Sequence, residues 1–175
     1  MPDIKNQKNK KTAKRGFSLI EVLLALLVLS IGLVAVSILM SGNIKNFQNT
    51  KNQIIASQLA QEGIELVRNL KDNDDTFTST VTSGDYRIDA ITGLLDTGSD
   101  RKLYLNSDFY VHNSAGTATK FYRKISVDIS TDADDKKTAT VTSTVTWNGT
   151  GFGSFSTCNV SNKCVSAVSV MPDLD

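Results

Sequence analysis

Proline is nearly missing from this chain. Only Pro2 and Pro172 are present, so between Phe17 and Lys71 no residue breaks a helix by removing a backbone donor. Histidine is scarcer still: His112 stands alone, and no Cys/His spacing makes a zinc site. Its bland reading is a strand residue in a polar position. Catalytic arrangements are lacking too, with no G-x-S-x-G and no nucleophile beside a general base. The alternating Gly149, Gly151 and Gly153 have no Gly-Lys-Ser/Thr after them, which makes a flexible loop rather than a phosphate cradle. These absences argue against an enzyme and against a bound cofactor or metal.

Charge is missing from one stretch in particular. No charged residue occurs from Val22 through Met40. Those 19 or so residues make roughly 28 Å of helix, about the thickness of a bilayer's hydrocarbon core. Just before it the charge is concentrated. Lys5, Lys8, Lys10, Lys11, Lys14 and Arg15 face Asp3 alone, about +5 in sixteen residues, and a chain of net +1 then keeps about −4 elsewhere. Cations flanking an apolar helix hold that end in the cytoplasm and send the rest outward. The acidic remainder has no footprint for nucleic acid.

What is present includes two cysteines, Cys158 and Cys164. On the outer side of a membrane an even count favours a disulfide over a metal site or free thiols. A chain of 175 residues holds one globular domain and an elongated element. The absence of proline predicts one helix over Phe17 to Lys71, with Gly32 and Gly42 as points where it loosens. Its second part, from Asn43, has an apolar stripe of Ile44, Phe47, Ile55, Leu59, Leu66 and Leu70, with Lys51 and Gly63 filling the gaps. Asp72-Asn73-Asp74-Asp75 ends the helix.

The rest reads as strand and loop. Residues 85–91 and 103–112 are expected strands. Phe121, Ile125, Val127 and Ile129, then Val141, Val145 and Trp147, alternate with polar partners. Thr131 to Lys137 connects them as an antiparallel hairpin, whose apolar face the helix stripe would cover. Asp132, Asp134 and Asp135 are better read as a solvated turn than as a calcium site, since the spacing matches no EF-hand. The fold of the tail after Asn148 stays open.

The most specific stretch is Lys14-Arg15-Gly16-Phe17-Ser18-Leu19-Ile20-Glu21-Val22. An ordinary secretory cut follows the apolar run at small residues; Ala35-Val36-Ser37 has the sizes, but the run continues past it. Here a glycine precedes the run and a glutamate lies inside it. A carboxylate in a membrane helix is costly and marks function by default. A cut after Gly16 would give Phe17 an ammonium of pKa about 8, four residues from Glu21 on the same face. The plainer alternative is a helix-start carboxylate favoured by the dipole.

This segment resembles the N-terminal signature of type IV pilins and of the pseudopilins of type II secretion and DNA-uptake systems. The resemblance implies that a prepilin peptidase cuts between Gly16 and Phe17, that Phe17 is N-methylated, and that Glu21 supports methylation and assembly by a salt bridge. It also fits a C-terminal disulfide loop through Cys158 and Cys164. The expected layout is α+β and pilin-like, a long hydrophobic N-terminal helix packed against a small antiparallel sheet. Residues 1–16 are a leader, 17–42 the membrane or filament-core helix, 43–71 its amphipathic continuation and 72–175 the extracytoplasmic head. Partners implied are prepilin peptidase, other pilin subunits met through the N-terminal helix, the assembly platform and the membrane. Many major pilins have a proline within the membrane helix. Its absence here, with the Gln58 to Asp72 stretch and the Thr-Val hairpin, is more similar to minor pilins. The other class of reading is a membrane-tethered adhesin that never polymerises.

Overall fold

The structure is a computed structural model describing residues 16, 18–73, 77, 81–133, 135–152 and 158–172. Most of the leader, Phe17, Asp74, Asp75, Asp134 and Gly153 lie outside the described residues. One helix, α1, spans Leu19–Asn73, close to the expected limits, and Gly32 and Gly42 remain helical within it. Leucine, a good helix former, is the commonest residue in its first half. The polar exceptions are satisfied locally: the Ser30 and Ser37 hydroxyls donate to the Leu27 and Leu33 carbonyls, each at 2.8 Å.

The chain divides into two compact units between Asn46 and Phe47. The first contains the apolar half of α1. The large apolar side chains of its described residues are 48–78% exposed, so these residues form no core of their own.

The second unit joins the rest of α1 to an antiparallel sheet. Its described strands are β1 (Gly84–Ile88), β2 (Leu95–Asp96), β3 (Lys102–Asn106), β4 (Phe109–Val111), β5 (Thr117–Thr131), β6 (Lys137–Thr146) and β7 (Cys164–Met171). The long β5 is central. It pairs with β6 on one side, from Tyr122↔Thr146 to Thr131↔Lys137, which is the expected hairpin. Its other side is shared by β1 and β3, with β2 on β1 and β4 on β3. The tail supplies β7, which pairs with β6 from Ala139↔Met171 to Thr146↔Cys164. The layout is the α+β one expected.

Two details differ from the sequence expectation. The 103–112 stretch is two strands, because Ser107 (φ 47°) and Asp108 (φ 72°) turn the chain in left-handed conformation, as a two-residue hairpin loop needs. Ser-Asp lacks the glycine that usually announces such a turn. Expected strand 85–91 ends at Ile88.

The helix stripe also differs. The buried residues of α1 are Ala56, Leu59, Ala60, Gly63, Ile64 and Val67, spaced three and one apart along one helical face. Of the expected stripe only Leu59 is among them, with Gly63, which was expected to fill one of its gaps. Ile55, Leu66 and Leu70 pack at the margins, while Ile44 and Phe47 are 56% and 72% exposed. Ala56, Ala60 and Gly63 share this face with Leu59, Ile64 and Val67, and the small ones let the helix backbone approach the sheet. A Cβ on Gly63 would contact the Ser143 hydroxyl and come within 2.9 Å of the Ile125 Cδ1.

Among the described residues the core between the layers has two clusters. Ile64 and Val67 of α1 meet Phe77, Ile88, Ile125, Val127, Val141 and Met171. Ala56, Leu59 and Ala60 meet Leu103, Phe121, Val145 and Trp147.

Candidate functional site

The segment singled out by sequence opens α1. Ser18 precedes the helix, and its carbonyl accepts from Glu21 N at 3.0 Å and Val22 N at 3.3 Å. Ser18-Leu19-Ile20-Glu21 has the spacing of a capping box, serine before the first turn and glutamate three residues on. Glu21 therefore stands in the first turn, where the helix dipole favours a carboxylate. It is exposed and heads an open apolar strip formed by Val22, Ala25, Leu26 and Leu29. Gly16 is exposed, and a Cβ placed on it would meet nothing within 4 Å, so the backbone there is open to another protein. Phe17, the other half of the expected cut and the expected methylation position, lies outside the described residues.

Behind Glu21, α1 is long and apolar enough to cross a membrane. Glu21 is the only charged residue from Leu19 through Ile44.

At the other end of the chain Cys158 and Cys164 are bonded, with Cα atoms 5.2 Å apart. The bridge spans the 3-10 turn Val160–Asn162, which Asn159 caps by accepting from Asn162 N. It ties that turn to the start of β7. In the glycine-rich loop, the Asn148 side chain accepts from Thr150 N and Gly151 N, both at 3.0 Å. The loop is thus held by its own asparagine, with Gly149 and Gly151 at positive φ. Asp132 likewise organises the β5–β6 turn, its carboxylate accepting from Lys136 N at 2.9 Å. Among the described residues no cluster of metal-ligating side chains occurs.

Two buried polar groups were not legible as such. Arg123 falls in the inward series of β5 between Phe121 and Ile125 and is fully buried. Its guanidinium lies 3.3 Å from the Glu62 carboxylate on α1 and donates to the Ile88 carbonyl at 2.8 Å. Burial lowers its pKa, and the nearby Glu62 opposes that shift. The period-2 parity of β5 was the signal that could have found it. His112, expected in a polar position, is 4% exposed. It lies just past β4, and the Asp89 carboxylate accepts from its backbone N at 2.6 Å and faces Nδ1 at 2.7 Å. Burial lowers the imidazole pKa, more than the Asp89 hydrogen bond raises it. Both groups serve the head's packing and lie in the second unit, whereas Gly16 and Glu21 lie in the first.

Comparison with known proteins gives one family match. The model described as the prokaryotic N-terminal methylation motif matches residues 11–40, a window that contains Gly16, Phe17, Glu21 and the charge-free run. Neither the characterised proteins nor the solved structures compared give a match. The matched window points to a structural subunit rather than an enzyme, to processing by prepilin peptidase, and to a single-pass anchor. Residues 11–40 carry the type IV prepilin signature, and the chain has the N-terminus of a pilin-like precursor.

Proposed function

We propose that this protein is a minor type IV pilin or pseudopilin. The observation that carries the reading is the methylation motif over residues 11–40, with Glu21 as the lone charge at the head of an uncovered apolar helix. Prepilin peptidase removes residues 1–16 on the cytoplasmic side, and the new Phe17 amine is methylated. Before assembly the 17–42 segment lies in the membrane, and in the filament it packs among the helices of other pilins. Lipid or neighbouring helices supply the burial that its own chain does not.

Glu21 supplies register. At neutral pH the Phe17 ammonium is charged, with an ordinary pKa of about 8. An unpaired carboxylate in an apolar surrounding costs several kcal/mol, so it draws that cation into a single docking position. The 43–71 helix and the strand-rich 72–175 head then face outward. The lack of a proline in the membrane helix supports a minor subunit over the bulk one.

Mass spectrometry of the protein from its host tests the reading. The expected N-terminus is Phe17 with one added methyl group. An intact Met1 to Gly16 segment, or a start at Ile38, refutes it. Cysteine crosslinking along the Val22 to Met40 helix separates assembly from a membrane-tethered adhesin, because a tether gives no ordered pattern between subunits.

A further inference from the structure

The sheet's edges are unequal. At one side β2 and β4 are two and three residues long, short enough to be poor templates. The other side ends in β7, eight residues with the sequence Cys-Val-Ser-Ala-Val-Ser-Val-Met. It pairs only with β6 among the described residues, so every second residue aims its N–H and C=O away from the sheet. Sheets normally blunt such an edge with lysine, proline, a bulge or an inward charge. None occurs within β7, its register with β6 is unbroken, and Val168 and Val170 are each 61% exposed.

Beside this edge runs a groove of about 450 Å³ between α1 and β7. Its floor includes Val165 and Ala167, and Gln61, Glu65 and Arg68 of α1 form its wall. Glu65 and Arg68 neutralise each other at 2.6 Å, and Arg68 also reaches the Ser169 hydroxyl at 3.2 Å. The wall therefore carries no net charge, and the floor is built of small side chains. An open strand edge flanked by a helix is a frame for strand addition: backbone bonds give affinity, and alternate side chains enter the groove.

We propose that β7 is a docking edge for an extended, uncharged strand of a partner protein, which extends the sheet beside α1 and places small or β-branched side chains in the groove. The backbone of the edge asks for a strand, and the neutral wall disfavours a charged one. The inference is independent of filament assembly, since a tethered head would present the same edge.

The test uses the full-length protein in detergent micelles and a synthetic capped peptide of alternating valine and serine. Amide hydrogen exchange followed by NMR should show added protection at alternate residues of Val165 to Val170. A peptide N-methylated on its bonding edge keeps its side chains but loses several main-chain hydrogen bonds, and it should bind at least about tenfold more weakly. Gln61→Trp fills the groove from the helix without touching β7 and should weaken binding similarly, with far-ultraviolet circular dichroism checking the fold. Equal binding of the two peptides, or protection away from β7, overturns the proposal. Protection that rises with protein concentration in the absence of peptide also overturns it, since the occupant would then be a second copy.

Discussion

The first-turn position of Glu21 and its proposed pairing with a cation are two roles that a single substitution confuses. As the third residue of a serine-led helix start it stabilises the first turn. As a lone carboxylate beside an apolar strip it awaits a cation. Glutamine separates them, because it serves in a capping box yet carries no charge. Glu21→Gln is therefore expected to keep the protein folded and membrane-bound but absent from sheared filaments, as Glu21→Ala would be. Normal incorporation of the Gln variant, measured by immunoblot of the sheared fraction, would reduce Glu21 to a cap. This residue was legible in the sequence, since its oddity is one of composition: a charge where 19 or so neighbours have none. Arg123 was not legible in that way. Its burial depends on Glu62 and the Ile88 carbonyl arriving from α1 and β1, and a buried arginine is tolerable only when such partners surround it.

At the scale of elements, the contact between α1 and the sheet turns on Gly63. Glycine inside a helix costs about 1 kcal/mol relative to alanine, yet here Ser143, Ile125 and Arg123 crowd the space where a side chain would stand. Gly63→Leu must push the helix away from β5 and β6, and overpacking of that kind costs about 3 kcal/mol. The expected outcome is a lower urea midpoint of the head with an unchanged m-value. The length of α1 and the β5–β6 hairpin could be read from proline absence and strict alternation. The buried face of α1 could not, because hydrophobicity ranks leucine and isoleucine above alanine and glycine. A close helix–sheet contact ranks them by size instead. The β3–β4 turn escaped for a similar reason: serine and aspartate accept the left-handed region only when the pairing of the flanking strands holds them there.

For the molecule as a whole, acid should loosen the head in two stages. Burial, the largest influence on His112, lowers its pKa below the ordinary value of 6.5. The unfolded chain then binds the proton more readily than the folded one, so stability is full above pH 6.5 and falls as pH drops below it. Arg123 adds to the cost of protonating His112, and Asp89 opposes it. For Asp85, burial works upward, but hydrogen bonds from Ser126 and Lys124 outweigh it and hold the carboxyl below its ordinary value of 3.8. Asp96, hydrogen-bonded by Arg87 and Gly98 N, is lowered as well. Their contribution is present above pH 3.8 and is lost below it. Thermal melts between pH 7 and pH 5 should show a decline that His112→Gln removes, leaving the steeper loss at lower pH; an unchanged slope in that variant would discount His112. By itself the sequence determined the basic run before the apolar helix, that helix, the glutamate within it and the alternating hairpin, because each depends on composition or on the period of a local backbone. Only the tertiary structure decided which helix face is buried, that β7 pairs only with β6 among the described residues, that Glu62 and the Ile88 carbonyl meet Arg123, and that His112 lies inside. Those outcomes depend on what distant segments bring to a position, and no local pattern records that.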